Sequence, residues 1–415
     1  MHVHSRYSRA CSQNIDLQSM AYTAAQKGIS ILGTGDFTHP LWLREIKNNL
    51  KEREEGLYAY RDGSQNTRFV LSVEVSNVFD AGGKTRKIHN CILVDSIEVA
   101  EQANDVLSKF GDLSVDGRPT LKMSAAELVE IMHGISENAF VFPAHAWTPF
   151  YGVLGSISGF DSIEDAYGDQ AARIHALETG LSSDPPMNWR LSKLDRYALV
   201  SNSDAHSLPN LGREANVFEI EREKLSYSEI ISAIKSKDKK RFKMTIEFYP
   251  EEGKYHFDGH RNCNVSLSPE ESLKYNNICP VCGKRLVIGV MHRVEDLADR
   301  PAGYIPKDAV PYVHAVPLKE AIAYVLKKSK FSAAVDKIYE ELIKKFGSEF
   351  GVILNAPIES IAKVDSGLAT AIENMRTGHV NLIPGYDGVF GIVDIMNRIK
   401  KPRRGMQNTL PDFAK

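Results

Sequence analysis

The first feature of the sequence with an evident chemical use is a His-x-His pair at its beginning, in the stretch MHVHSRY. On an extended strand, residues two apart point to the same side, so His2 and His4 would present two ring nitrogens to one point. Two converging imidazoles are typical of a metal site. The alternative is a pair of exposed terminal histidines or the remnant of a tag, and the rest of the sequence has to decide between them.

Further potential metal ligands lie at or near the ends of short apolar runs that have the composition of β-strands. In α/β barrels, catalytic groups collect at this edge of the sheet. One such residue alone is usually a satisfied polar group, but their number and placement together indicate a metal centre. A mixture of imidazoles and carboxylates favours Zn²⁺, Mn²⁺ or Fe. The candidates are Asp36, Glu74, His145, Glu178, Asp204 and His206, with His89 at the head of its run, from where it would reach the site on a loop.

Together these residues resemble the ligand pattern of the PHP (polymerase and histidinol phosphatase) superfamily over about residues 1–220. The resemblance implies a distorted seven-stranded β/α barrel that holds two or three divalent metal ions, Zn²⁺, Mn²⁺ or Mg²⁺. Asp36 and His39, spaced as DFTH, stand where the family has an Asp-His pair. The resemblance places His2, His4, Glu74 and Asp204 on one ion, Glu74, His89 and His145 on a second with Glu74 as the bridge, and His206 on a third with His39 as its partner.

Such a cluster implies hydrolysis of a phosphate ester, with Glu74, Asp204 and His206 as the central catalytic residues. One metal ion lowers the pKa of a bound water, and the others neutralise the charge that grows on the phosphoryl and leaving oxygens. A Ser or Cys nucleophile is then not required. Only Met1 precedes His2, so either the first strand is very short or the protein starts upstream of this Met1.

A second metal site is predicted from two knuckles, HRNC at 260–263 and CPVC at 279–282. Their spacing is typical of a closed tetrahedral zinc site. Zinc modules of this size serve structure or the binding of a macromolecule, so we expect a structural Zn²⁺ here. The predicted ligands are His260, Cys263, Cys279 and Cys282, with His256 as the alternative to His260.

The elements that must position these ligands follow from a repeated alternation of apolar strands and amphipathic helices. The first unit is a helix that begins near Asp16 and ends at Gly28, followed by the strand ISILG. The pattern predicts a parallel α/β barrel or a doubly wound sheet. We therefore expect a PHP-like catalytic domain over residues 1–240, a zinc-binding module over 245–305 and a helical, DNA-binding C-terminal domain over 306–415.

The composition is that of an ordinary globular protein, with 415 residues of which 43% are hydrophobic and 25% charged. Residues 1–240 carry a net charge of −6 and residues 241–415 a net charge of +4, which suits a metal-holding half joined to a phosphate-binding half. No apolar run approaches the roughly 20 residues of a membrane helix, and the N-terminus lacks the apolar stretch of a secretory signal. Five cysteines, three of them in one segment, argue against a disulfide framework. We therefore expect a cytoplasmic protein without membrane contact.

The order of the segments is more specific than any one of them. A PHP-like half, then GHRNC…NNICPVCGKRL…GVMHRVEDLADRP, then a helical end with GYDGVFG closely resembles the endonuclease Q family of DNA repair enzymes over nearly the whole chain. The resemblance implies hydrolysis of the phosphodiester on the 5′ side of deaminated bases (uracil, hypoxanthine, xanthine) or of abasic sites. The expected partner is therefore DNA that carries such a lesion.

Reading a damaged base requires taking it out of the stack into a pocket, which should lie beside the metals. Aromatic faces for this purpose are available in the loop directly after His145, although aromatic residues in such loops are more often packed in a core or a lid. The turn at 385–388 either approaches the DNA or is an ordinary tight turn. Candidate DNA contacts are Trp147, Phe150 and Tyr151 in the loop, Tyr386 in the turn, and Lys400, Lys401, Arg403 and Arg404 in the basic tail.

Two other functions are weighed against this one. A small-molecule phosphatase, such as one acting on histidinol phosphate, would use the same metals but would have no use for a zinc module and a basic helical domain. A non-catalytic DNA-binding module with a decayed site is disfavoured by the nearly complete set of ligands. The sequence contains no Gly-x-x-x-x-Gly-Lys-Ser/Thr phosphate loop, so a helicase that depends on one is set aside.

Overall fold

Helices and strands alternate along the chain in a computed structural model, which describes residues 1–63 and 66–399. The helices are α1 (Leu17–Lys27), α2 (Pro40–Asn49), α3 (Ile97–Leu107), α4 (Ala125–Ile135), α5 (Ile163–Tyr167), α6 (Pro185–Asn188), α7 (Tyr227–Ser236), α8 (Pro269–Lys274), α9 (Val290–Leu297), α10 (Leu318–Leu326), α11 (Ala333–Phe346), α12 (Ile358–Ala362) and α13 (Ser366–Thr377). The strands are β1 (Ile31–Gly33), β2 (Leu50–Glu54), β3 (Leu57–Tyr60), β4 (Arg68–Ala81), β5 (Lys84–Val94), β6 (Thr120–Leu121), β7 (Phe140–Pro143), β8 (Ala176–Glu178), β9 (Ala198–Val200), β10 (Ala215–Phe218), β11 (Phe242–Glu247), β12 (Asp258–His260), β13 (Val265–Leu267), β14 (Tyr312–His314), β15 (Asn381–Ile383) and β16 (Ile392–Asp394). No helix in the described ranges is long and apolar enough to cross a membrane.

The first predicted helix-strand unit is confirmed. The Asp16 side chain caps α1 by accepting a hydrogen bond from the Ser19 N–H at 2.7 Å. Gly28 ends the helix with a φ of 86°, a left-handed conformation that favours glycine. Strand β1 follows after two residues, so the local signals for the start and end of a helix place this unit correctly.

The largest sheet has seven strands and is mixed rather than parallel. β4 pairs in parallel with β1 and β6, whereas β5 runs antiparallel to both β4 and β7. The cause is the connection between β4 and β5, in which Gly82 and Gly83 have φ values of 60° and 72° and form a tight hairpin turn. A parallel pair would need a crossover of a dozen residues or more. The α/β class is therefore confirmed, and the all-parallel arrangement is not.

The strands of the described residues do not close into a hydrogen-bonded barrel. β8 and β9 form a separate parallel pair, and the N-terminal residues contribute only an isolated bridge between Val3 and Ala205. Two further backbone hydrogen bonds fix this start of the chain, from Asp204 N–H to the His2 carbonyl (3.1 Å) and from His4 N–H to the Ala205 carbonyl (3.2 Å). The His-x-His pair is thus extended and lies against the loop that follows β9.

The second half of the chain is built around smaller cores. A three-stranded sheet of order β10-β11-β14 contains one strand from before residue 240 and two from after it, so backbone pairing joins the predicted segments. The predicted zinc-binding module contains the β12–β13 hairpin, α8 and α9. Helices α10 to α13 pack around a separate apolar core, which also includes Ile246 and Tyr249. The predicted helical C-terminal domain also holds the short hairpin of β15 and β16.

Residues 290–300, which include α9, attach the predicted zinc-binding module to the predicted first domain. Arg293 donates hydrogen bonds to the carbonyls of Leu154 (3.1 Å) and Phe160 (3.0 Å). Arg300 forms a bidentate ion pair with Asp195 at 2.7 and 2.6 Å. The distinctive HRVEDLADRP segment therefore acts as a connector between two parts of the molecule.

Candidate metal centre

Four side chains predicted as ligands of one metal ion converge in the first domain. His2 Nε2 lies 3.4 Å from both Glu74 Oε2 and Asp204 Oδ1, and His4 Nε2 lies 3.2 and 3.1 Å from the same two oxygens. One ligand atom from each of the four side chains lies within 4.8 Å of all the others. Residues separated by about 200 positions in sequence thus form one compact donor set.

The second predicted ligand set shares Glu74 with the first. Glu74 Oε1 lies 2.7 Å from His89 Nδ1 and 3.0 Å from His145 Nε2. Its other oxygen, Oε2, faces His2 and His4. One carboxylate therefore offers one oxygen to each cluster, which is the geometry of a bridging ligand.

The β4–β5 hairpin explains how Glu74 and His89 come together. In its antiparallel register Glu74 is opposite Cys91 and Ser76 is opposite His89. Because residues two apart on a strand share a face, Glu74 and His89 lie diagonally on one face of the sheet. The sequence shows both strands, but the register that brings these residues together depends on the turn.

Three of the predicted ligands occupy strained backbone positions on loops. Asp36, His145 and Asp204 have φ values of 51°, 29° and 43°, in the left-handed region. Such a conformation costs of order 1–3 kcal/mol in a non-glycine residue and persists only where the surrounding structure enforces it. Three of the eleven non-glycine residues with positive φ in the described ranges are thus predicted ligands, and this coincidence of strain and ligand chemistry supports a functional site here.

Glu178 forms hydrogen bonds with two of the predicted ligands. Its Oε2 lies 2.9 Å from His2 Nδ1 and accepts the backbone N–H of His145 at 2.8 Å, while Oε1 accepts from Asn202 at 2.9 Å. A hydrogen bond from Nδ1 to a carboxylate leaves Nε2 unprotonated and oriented toward a metal. The sequence analysis names Glu178 only as a potential metal ligand at a strand end, and its supporting contacts could not be predicted because its two partners come from distant segments.

Asp36 has the same relation to the other opening histidine. Its Oδ1 lies 3.1 Å from His4 Nδ1, and its Oδ2 accepts the backbone N–H of Ser5 at 2.7 Å. Asp36 therefore contacts the Nδ1 side of the His4 ring. It is not a member of the groups of three or more converging donors found in the described residues.

His39 and His206, predicted for a third metal ion, are not members of those groups in the described part of the chain. The His39 ring stacks on Tyr7 with 4.3 Å between ring centroids, and its Nε2 lies 3.1 Å from the Ser114 carbonyl. The His206 ring lies beside the His4 ring at 4.5 Å between centroids. His206 thus borders the first ligand set.

Arg118 is a component of the site that sequence reasoning missed. Its guanidinium Nη1 lies 3.1 Å from Glu74 Oε2, and the side chain reaches this position from the loop before β6. No local pattern in DGRPT distinguishes this arginine from an ordinary surface cation. The fold alone shows that a positive charge faces the shared carboxylate.

The charges in the site keep its carboxylates ionised. Burial acts to raise the pKa of Glu74, but His89 and His2 outweigh it and hold this pKa well below its usual range. The pKa of Asp204 is likewise lowered by His2 and His4 against the effect of burial. Burial lowers the pKa of His89 to about 4, so this ring is neutral at physiological pH. Burial acts to lower the pKa values of His2, His4 and His145, but the neighbouring acidic groups outweigh it and raise these pKa values above their usual range. A metal ion that binds these three rings would therefore displace protons from them.

The donor sets fit the metal ions that the sequence predicts. The Nε2 atom of His2 is buried and has no hydrogen-bond partner in the structure, as expected for an atom reserved for a metal. The mixture of nitrogen and oxygen donors and the shared Glu74 suit two divalent ions side by side.

The four predicted zinc ligands also converge. One donor atom each from His260, Cys263, Cys279 and Cys282 lies within 4.8 Å of the others, and His260 Nδ1 is 3.4 Å from Cys282 Sγ. His256 is instead buried and stacks on Phe257. Three thiols and one imidazole are a donor set that fits a closed tetrahedral Zn²⁺ site.

The candidate DNA contacts differ in their accessibility. Trp147 is buried, and its Nε1 donates to Asn188 at 2.8 Å, so its ring is not available for stacking on a base. Phe150 and Tyr151 are exposed, and Tyr151 stacks on His89 with 4.3 Å between ring centroids. Tyr386 is only 8% exposed. Lys400, Lys401, Arg403 and Arg404 lie outside the described residues.

Sequence comparison matches this chain to one domain family and to two relatives. Residues 317–379 match the family described as the MJ0043 C-terminal domain. The chain is 34% identical over 250 residues to the uncharacterized protein MJ0043 of Methanocaldococcus jannaschii, a match that covers 59% of this chain but only 30% of that protein. It is 28% identical over 375 residues to the uncharacterized protein YqxK of Bacillus subtilis, with 88% of each chain covered.

Two solved structures match nearly the whole chain. The crystal structure of the lesion-specific endonuclease PfuEndoQ from Pyrococcus furiosus superposes with a TM-score of 0.85 at 32% identity, and the match covers 96% of each chain. The crystal structure of endonuclease Q with a 27-mer duplex substrate that has an abasic lesion at the active site superposes with a TM-score of 0.83, also at 32% identity, over 98% of each chain.

Proposed function

This chain belongs to the endonuclease Q family, and we propose that it is a DNA repair endonuclease that hydrolyses the phosphodiester on the 5′ side of a damaged nucleotide. The proposal rests on the pair of donor clusters that share Glu74, in a chain of which 96% matches a lesion-specific endonuclease. The proposed lesions are abasic sites and the deaminated bases uracil, hypoxanthine and xanthine.

The proposed catalytic cofactor is a set of two or three divalent metal ions, Zn²⁺, Mn²⁺ or Mg²⁺. His2, His4, Glu74 and Asp204 would hold one ion, and Glu74, His89 and His145 a second. His206, with His39, is the proposed holder of a third. When bound, the ions supply an activated water and neutralise the negative charge on the phosphate oxygens.

The side chains around these ligands have their own proposed tasks. Arg118 binds a non-bridging oxygen of the phosphodiester, because its guanidinium is the cation that faces Glu74 and its side chain is partly exposed. Glu178 and Asp36 orient His2 and His4 through their Nδ1 atoms. Tyr151, stacked on His89, forms part of the wall against which a flipped base rests, together with Phe150.

We further propose that the first domain is a PHP-like distorted barrel that cuts the DNA, while the zinc-binding module and the C-terminal domain bind it. The extended residues 1–4, bridged to Ala205, would stand in place of the strand that closes the barrel. A structural Zn²⁺ bound by His260, Cys263, Cys279 and Cys282 would fix the β12–β13 hairpin of the module.

The test is cleavage of an end-labelled duplex that carries one abasic site, uracil or hypoxanthine, with Mn²⁺, Mg²⁺ or Zn²⁺ added in turn. The proposal expects a metal-dependent product whose length maps to the 5′ side of the lesion, and no product from the undamaged duplex. Hydrolysis of nitrophenyl phosphate without cleavage of any damaged duplex would instead favour a small-molecule phosphatase.

A further inference from the structure

Four residues near the zinc-binding module form one exposed surface that the proposed function does not yet use. Lys254, Tyr255, Arg261 and Phe390 are all exposed, and we call them the clasp surface. Phe390 is 63% exposed and Tyr255 42% exposed. The Lys254 ammonium lies over the Phe390 ring at 4.6 Å from its centroid.

The backbone that carries this surface is fixed. The turn at 385–391 is bonded to residues 251–257, with Gly388 N–H donating to the Lys254 carbonyl at 3.0 Å and Phe257 N–H donating to the Gly385 carbonyl at 2.9 Å. A Cβ at Gly391 would lie 2.0 Å from the Glu251 carbonyl oxygen, so only glycine permits this close approach. The exposed aromatic rings therefore stand on a rigid support rather than on a loose loop.

The turn also places Arg261 and Tyr255 next to each other at its tip. A Cβ at Gly388 would lie 3.5 Å from an Arg261 guanidinium nitrogen and 3.8 Å from the Tyr255 hydroxyl, which places both groups at the tip of the turn. Asp387, the acidic residue of the turn, accepts the backbone N–H of Arg261 at 2.6 Å. Among the described residues, neither Lys254 nor Arg261 forms a side-chain ion pair, so both positive charges face solvent.

A second exposed phenylalanine shows that exposure alone is not the signal. Phe331 is 75% exposed and lies near the ammonium of Lys330 at 5.8 Å. There, however, Lys330 is paired with Glu320 at 2.7 Å, so its charge is neutralised within the chain. The clasp surface differs because its cations have no such partner and Arg261 directly follows the zinc ligand His260.

We infer that the clasp surface binds the DNA beside the lesion, with Lys254 and Arg261 on backbone phosphates and the Phe390 ring against an exposed base face. Phosphates supply the anions that the cations lack, and aromatic stacking on a base is tolerant of sequence. This inference rests on the proposed function. It also moves the DNA contact of this turn from the buried Tyr386 to Phe390.

Fluorescence anisotropy with a labelled duplex that carries an abasic-site analogue tests the inference, in an Asp204→Asn background that prevents cleavage. Phe390→Ala should raise Kd about 10-fold, the scale of one lost stacking contact. Lys254→Gln with Arg261→Gln should reduce the slope of log Kd against log salt by roughly 0.9 for each cation. The zinc content of the double variant is measured to show that His260 still binds its metal.

The matched controls are Phe331→Ala and Lys330→Gln, which should leave both Kd and the salt slope unchanged. If the parent binds normally and the Phe390 and Lys254/Arg261 variants keep its Kd and salt slope, the clasp surface does not bind DNA. The proposed function would remain intact. An equal loss in the Phe331 and Phe390 variants would also overturn it. If the unsubstituted chain neither binds nor cuts damaged duplex, the proposed function fails first and the inference with it.

Discussion

The donor set around Glu74 and the donor set around Cys279 differ in which protein groups fix their side chains in the absence of a metal ion. Around Glu74, the histidine ligands are buried, and a second protein group such as Glu178 or Asp36 fixes the rings of the opening pair. Around Cys279, the buried apolar cluster contains only that residue, Val265 and Leu286, and Cys282 is exposed. From this comparison we expect that the fold arranges the predicted catalytic ligands, whereas the local fold around the predicted zinc ligands depends on the metal.

The largest effect is expected from a change inside the catalytic cluster that leaves its surroundings intact. Asp204→Asn should lower the cleavage rate by at least roughly 10²–10³-fold, because a carboxamide is a nearly isosteric but poor metal ligand. Binding of the damaged duplex should remain close to that of the parent protein. Single-turnover cleavage and anisotropy measure the two quantities.

The control for this change is Asp80→Asn, at the exposed end of the β4–β5 hairpin, which should cut at the parent rate. Full activity in the Asp204→Asn variant would remove Asp204 from the metal centre. A large loss of DNA binding would show that the substitution disturbs more than the ligand.

The opposite behaviour is expected in the zinc-binding module. Cys279→Ser should unfold the β12–β13 hairpin and its surroundings, since structural zinc supplies about 10–16 kcal/mol of apparent binding free energy in small zinc-binding peptides. Zinc content should fall by one ion per chain, and DNA binding should weaken. Metal analysis, thermal unfolding and anisotropy would detect these changes.

Cys11→Ser provides the control, because Cys11 is half-buried in the first domain and lies outside both knuckles. It should keep its full zinc content. If Cys279→Ser also kept its zinc and its melting temperature, the comparison would collapse, because the second cluster would then be held by its fold alone.

A smaller effect should follow from removing a supporting residue of the catalytic cluster. Glu178→Ala should weaken metal binding by about 10–100-fold, because His2 would lose the partner of its Nδ1 and His145 the acceptor of its backbone N–H. Glu178→Gln, which keeps an acceptor oxygen, should lose less. Metal titration followed by cleavage activity measures both variants, and equal metal affinity in both and in the parent would contradict the supporting role.

The sequence predicted the ligand sets better than the neighbouring residues that contact the ligands and orient them. The spacing of His2 and His4, the strand-end positions of Glu74 and Asp204, and the two knuckles are local patterns, and the structure brings these residues together. Arg118 and the partners of Glu178 could not be predicted, because their roles depend on which distant loops meet. The antiparallel course of β5 was missed for a related reason: a short hairpin turn overrides the expectation of parallel pairing that the alternation of strands and helices suggests.

The smallest predicted effect concerns Glu247, a buried carboxyl that is not a member of the donor groups found in the described residues. Glu247 is buried next to Thr179, which donates to it at 2.9 Å, and burial raises its pKa to about 7 in spite of this hydrogen bond. Asp184 adds to the rise, whereas His314 opposes it. This direction is opposite to that of Glu74, whose histidines keep it ionised.

The sign of the consequence follows from this raised pKa. Between the ordinary value of 4.5 and about 7, the unfolded chain has released the proton while the folded chain still holds it, so stability falls as pH rises through this window. Glu247→Gln should remove that dependence. The free energy of unfolding of the variant, relative to the parent, should therefore increase by about 1–3 kcal/mol from pH 4.5 to 8. Urea unfolding at several pH values measures the difference, and parallel curves for parent and variant would show that Glu247 is ionised in the folded protein, as Glu74 is.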